Sequence, residues 1–256
     1  MLSFNEAQAL AWMTPLLWPF LRALALFTAL PVLGQRGVPT RVRIGLAAFV
    51  ALAAQPSLPA LGPAAQVALD SPTAVLLVVQ QVVIGLSLGF AVRLVFAAVE
   101  FAGELVGLQM GLNFAGFFDP ISASAATATS RLFGTLVAWL FIVINGHLLV
   151  VAALVQSFQA FPIGPEPLAF FRQMQPHRWG AEIFSTGLWI AMPLVTILLF
   201  VNLVLGAISR VAPQINIFAI GFPVTLGVGL LGLLLTLPFM TQPFTMTLTR
   251  LLQHFQ

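Results

Sequence analysis

Three stretches of this chain, 132–155, 183–208 and 215–237, stay apolar for more than twenty consecutive residues. An α-helix needs about 20 such residues to cross about 30 Å of hydrocarbon, so each is long enough to span a membrane. The charge content points the same way. Ten basic and seven acidic residues make up 7% of the 256, and 60% of the chain is hydrophobic. Seventeen charges cannot cover a soluble fold of this size. A soluble globular enzyme, a disordered chain and a coiled coil are excluded, and an integral membrane protein remains.

Three further apolar runs are less regular. The first, 10–33, is interrupted by Pro15, Pro19, Arg22 and Pro31. The second, 44–54, is too short to cross alone, and the third, 73–110, is too long for one crossing and carries Arg93, Glu100 and Glu104. Loops are expected at 55–72, 121–130 and 161–179, where proline, glycine or small polar residues gather, and Pro193, Pro213, Pro223 and Pro238 punctuate the last two helices. In lipid a broken helix persists only where protein or a water-filled cavity satisfies the freed backbone groups. The expected fold is therefore all-α: about six hydrophobic, broken or kinked helices packed within a larger assembly. The N-terminal residues include Glu6 and no basic residue, which fits a retained helix better than a signal peptide.

All ten basic residues are arginine. With six crossings, Arg36, Arg41, Arg43, Arg131 and Arg210 fall on one side and Arg172, Arg178 and Arg250 on the other, which puts both termini in the periplasm. Arg36, Arg41 and Arg43 read as a loop flanking the membrane, and no basic cluster suggests nucleic-acid binding. Cysteine is absent, which removes disulfides and thiolate chemistry. No two histidines share helical ligand spacing and no phosphate-binding glycine loop is present, so neither a metal nor a cofactor is expected.

On a helix, Arg93, Glu100, Gly103, Glu104, Gly107 and Gly111 share an arc of roughly 100°. Glycines four apart admit a second backbone closely. Two carboxylates at membrane depth mark a polar pathway or an intersubunit pair, unless this part of the helix stands clear of the hydrocarbon and they are solvated. The next stretch, MGLNFAGFFDP (110–120), is rich in Met and Phe and ends on a turn-starting Asp-Pro. It is either core or a deformable apolar seal of the kind that closes pores by dewetting. Gly85-Leu86-Ser87-Leu88-Gly89 matches the nucleophile-elbow pattern but sits inside an apolar helix, where its glycines read as helix packing. An intramembrane serine protease pairing Ser87 with His147 is the alternative. His147, in Asn145-Gly146-His147, reads as a polar helix end.

Taken together, VGLQMGLNFAGFFDP (106–120), INGHLLVVAALVQSFQAFPIG (144–164) and NLVLGAISRVAPQINIFAIGFPVTLGVGL (202–230) closely resemble the R-subunit family of the flagellar type III protein-export gate, with the T subunits of virulence secretion as relatives. The resemblance covers essentially the whole chain. It implies a single export-gate membrane domain of nested helical hairpins, with 1–130 similar to a P subunit and 131–256 to a Q subunit. It further implies a helical assembly with P and Q subunits, association with the B export-switch subunit, and passage of unfolded proteins through the bacterial inner membrane at the centre of the flagellar basal body. The plug carries over onto Met110, Gly111, Asn113, Phe114, Gly116, Phe117 and Phe118. The Q-like cytoplasmic turn carries over onto Arg210, Pro213, Gln214, Asn216 and Pro223. Subunit packing is expected at Gly103, Gly107 and Gly111, with Glu100 and Glu104. A secondary transporter for a small solute is the other alternative. It would need polar residues converging from discontinuous helices, ideally in two related halves.

Overall fold

Backbone hydrogen bonding in an apolar chain must be met internally, and the computed structural model of this one meets it with helices. It describes residues 6–34, 37–58, 71–112, 127–164, 170, 179–214 and 217–255, with side chains from Pro15 in the first helix and from Ala219 in the seventh. Of the expected loops 55–72, 121–130 and 161–179, the parts 59–70, 121–126, 165–169 and 171–178 lie outside the described residues, as do 113–120, Arg36 and Asn216, while residues 128–130 belong to a helix. The helices are α1 Glu6–Ala29, α2 Thr40–Ala54, α3 Pro72–Gln109, α4 Ala128–Val143, α5 Gly146–Ala160, α6 Gly180–Val211, α7 Ile217–Thr236 and α8 Thr241–Gln253, with 3-10 turns at Gln55–Ser57 and Leu237–Met240. No strand occurs among the described residues, so the all-α membrane fold holds.

Three helical stretches are long and apolar enough to span: Pro72–Gln109, Gly180–Val211 and Ala219–Gln253, the last running through α7, a 3-10 turn and α8. The run 132–155, expected as a clean span, is instead two helices, α4 and α5, bent by 68°. The cause is local. Asn145 has φ 58, the left-handed conformation that Asn tolerates better than most residues, and Gly146 follows it. In α1 the helix continues through Pro15 and Pro19. Against the six crossings expected, three helices among the described residues are of span length, or four if the bent pair counts as one.

The chain forms two compact units interleaved along the sequence, 1–93 with 145–179 and 248–256, and 94–144 with 180–247. Both cut across the expected parts 1–130 and 131–256.

The first unit is organised around Arg22, which is completely buried. Its Nε donates to Gln81 Oε1 at 2.8 Å, Nη1 to Ser157 Oγ at 2.9 Å and Nη2 to the Phe161 carbonyl at 3.0 Å. The guanidinium carbon lies 3.7 Å from the centre of the Phe158 ring. Gln81 donates in turn to Gln80 Oε1 at 3.1 Å, and Gln80 bridges to the Pro162 carbonyl and the Gly164 N–H. One side chain of α1 thus fixes α3, α5 and the segment that leaves α5. Beside it, Gly85 and Gly89 let α3 meet the backbone of α1. A β-carbon at 85 would lie 2.8 Å from that of Ala25, and one at 89 would lie 2.6 Å from that of Ala29. The GxSxG sequence is therefore a helix-packing site within one chain, with Ser87 in mid-helix and not on a strand-to-helix turn.

Lysine at position 22 would keep the charge but not the planar fork that serves three separated acceptors. Each hydrogen bond to a charged group contributes roughly 1.5–3 kcal/mol. Arg22→Lys is expected to lower the thermal midpoint of the detergent-solubilised protein by several degrees with its helix content retained. An unchanged midpoint would show that the fork is dispensable.

Candidate functional site

In the second unit the glycine face of α3 meets the chain's own helices. A β-carbon at Gly103 would lie 2.8 Å from the ring of Phe133 on α4, itself only 2% exposed. Gly107 is buried too. Glu100 and Glu104 are exposed, so the two acids are not buried in the chain itself. Gly103 and Glu104 are consecutive, and the 100° step between them turns Glu104 outward when Gly103 faces Phe133. The Glu100 carboxylate lies against Gly134, 3.1 Å from where a β-carbon would stand. Further close contacts join Gly187 of α6 to the Ala98 carbonyl and Phe101 of α3, and Phe96 stacks edge-on to Phe141 and Phe244.

The expected plug begins where α3 ends. Of its residues, Met110 and Gly111 are described; Asn113, Phe114, Gly116, Phe117 and Phe118 lie outside the described residues. Met110 is 2% exposed and is seated over Gly229 of α7, where a β-carbon would come within 2.6 Å of its Cγ and Cε. Gly111 adopts φ 78, the left-handed conformation that closes helices and favours glycine. The last carbonyls of a helix lack intrahelical donors, and here those of Val106, Leu108 and Gln109 find donors. Val106 O accepts from the Met110 N–H at 3.0 Å and Leu108 O from the Gly111 N–H at 3.1 Å. Asn202 Nδ2 on α6 donates to Gln109 O at 3.2 Å and to Gln109 Oε1 at 3.3 Å. Thr225 Oγ1 on α7 lies 3.3 Å from Met110 O and 3.0 Å from Gly221 O in its own helix. The end of α3 is therefore held from two sides.

Asn202, Thr225 and Gly229 were not found from the sequence. Asn202 did carry a signal, as a lone amide inside the apolar run 183–208. In the expected cytoplasmic turn, Arg210, Pro213, Gln214 and Pro223 are exposed, with Pro223 inside α7, and Asn216 lies outside the described residues. His147 Nδ1 is buried and has no hydrogen-bond partner among the described residues, so it is not paired with Ser87 through that nitrogen. A cleft of about 240 Å³ beside Pro193 is lined by Trp189, Met192, Pro193, Phe239, Gln242 and Pro243 among others, and no charged side chain among the described residues lines it. It offers little to a charged solute.

Comparison with known proteins matches residues 13–251 to the family described as bacterial export proteins, family 1. The flagellar biosynthetic protein FliR of Escherichia coli (strain K12) is 46% identical over 230 residues, covering 90% of this chain and 87% of that protein. FliR of Pectobacterium carotovorum subsp. carotovorum is 42% identical over 238 residues, covering 93% and 90%. FliR of Bacillus subtilis (strain 168) is 28% identical over 229 residues, covering 84% and 83%. With its apolar helices and a match that runs from the first of them to the last, this chain belongs to the bacterial export proteins, family 1.

Proposed function

We propose that this chain is a subunit of the flagellar protein-export gate. With P and Q subunits it forms the closed channel through which unfolded flagellar proteins cross the bacterial inner membrane at the centre of the basal body, and the B export-switch subunit is a further partner. The observation that carries this reading is family membership along residues 13–251, with relatives named flagellar biosynthetic protein FliR at 46% and 42% identity. Unit two adds support. Phe184, Trp189, Phe200, Leu203, Leu234 and Phe239 are all more than half exposed, and in a membrane protein such faces meet lipid or other subunits. Glu100 and Glu104, exposed on α3, and the part-exposed Gly111 are the proposed packing region toward P and Q, while Gly103 is occupied by Phe133 and Gly107 is buried within the chain. Arg210, Pro213, Gln214, Asn216 and Pro223 form the proposed cytoplasmic turn.

In this reading the residues from Met110 to Phe118 seal the channel. Large deformable apolar side chains hold back water and ions yet yield to a passing polypeptide. Phe114 and Phe117, three apart, project together in a helical or turn conformation. Phe114→Ala with Phe117→Ala is expected to raise the ion conductance of the resting membrane while the complex assembles and some secretion persists. A tight membrane with a normally assembled double variant would end the plug assignment. Were both rings simply core, emptying the sites would cost roughly 3–5 kcal/mol each and assembly itself would fail.

The chain performs no covalent chemistry in this role. Ser87→Ala is expected to leave secretion by the assembled complex at the wild-type level, and its loss would revive the protease alternative.

A further inference from the structure

The most exacting polar contacts in unit two lie at the end of α3. Gln109 is the last residue of that helix, and Asn202 spends both N–H bonds of its amide on it, one on the main-chain carbonyl and one on the side-chain oxygen. Thr225 is different. Its single hydroxyl proton has the Gly221 and Phe222 carbonyls of its own helix as nearer acceptors than Met110 O. If the end of α3 moved away, Thr225 would fall back on its own helix with nothing unsatisfied. Asn202 has no such alternative, because both of its donors go to Gln109. Losing them in an apolar setting leaves an amide unpaired, which is costly. The Met110 side chain adds a second hold of another kind, seated in the space left by the missing side chain of Gly229.

We propose that Asn202 and Gly229 are positioning residues of the export gate: a latch on the last turn of α3 that holds Gln109 and Met110 in place, and with them the point from which the sealing residues begin. The latch rests on the sealing role proposed above. It acts through the α3 terminus, and neither residue belongs to the seal. Asn202 supplies a hydrogen-bond latch and Gly229 a steric one, so the two can be broken separately.

The test is made on the complete export complex in cells, reading assembled complex, secretion and resting ion conductance for Asn202→Leu, Asn202→Gln and Gly229→Ala, with the Phe114→Ala/Phe117→Ala variant alongside. Asn202→Leu removes the donors while keeping the branched shape and the number of heavy atoms, and Gly229→Ala displaces Met110 without touching a hydrogen bond. Both are expected to raise conductance several-fold per assembled complex. Asn202→Gln, which keeps both N–H donors, is expected to stay near wild type. A role in folding alone would lower the amount of complex and leave its conductance unchanged, and that result overturns the proposal, as does failure of both variants to assemble. If the phenylalanine variant leaks while Asn202→Leu and Gly229→Ala stay tight, the latch falls and the seal stands. If all of them stay tight, the seal falls and the latch with it.

Discussion

A guanidinium sealed from water at Arg22 is the constraint around which the first unit is arranged. Burying a charge is expensive unless its donors are met, and the acceptors recruited here are all neutral: an amide on α3, a hydroxyl on α5, and a main-chain carbonyl just beyond α5. They lie 59, 135 and 139 residues away in sequence. Satisfying one side chain of α1 therefore fixes the neighbours of α1. The Phe158 ring completes the enclosure from a fourth direction. A lysine or a hydrophobic residue could occupy the volume, but neither would dictate which segments must meet there.

Close backbone approach does the remaining work in both units. Apolar helices gain little hydrophobic driving force from one another in lipid, so packing depends on how near they come. Gly85 and Gly89 bring α3 onto α1, Gly103 admits Phe133, Gly187 admits the Ala98 carbonyl, and Gly229 admits Met110. These glycines matter for the side chain they lack, because even one methyl group would collide with a neighbour.

Much of this was legible in the sequence and some was not, for a physical reason. Periodicity and length are local, so the apolar helices could be read, as could the shortness of α2 and the packing role of Gly85 and Gly89. The bend at Asn145 was harder: Asn-Gly permits a left-handed residue but does not demand one, and the apolar run on either side looks continuous. The partners of Arg22, and the pairing of Asn202 with Gln109 across 93 residues, depend on tertiary placement that no window of sequence contains. Arg22 looked like an interruption in an apolar run and is instead the centre of a unit. The glycine stripe read as a surface for other subunits, and at Gly103 the chain supplies its own partner, Phe133, a tertiary pairing that spacing alone does not distinguish from a contact between subunits. The family resemblance came from long strings with fixed order, which is why it located the export family without the geometry.

α6 also works as a depth gauge. Its 32 residues carry Glu182 in the first turn and Arg210 in the last, with nothing charged between them. At 1.5 Å per residue those two charges stand about 42 Å apart along the axis, close to the ~40–45 Å of a bilayer with its headgroups. As a span, α6 therefore sits with a charge in each headgroup layer and little freedom to slide. Asn202 is then roughly 12 Å below Arg210 along the axis, past the headgroups and within the oily layer. No bulk water reaches that level through lipid, so any water that replaces Gln109 as its partner must arrive from the protein side.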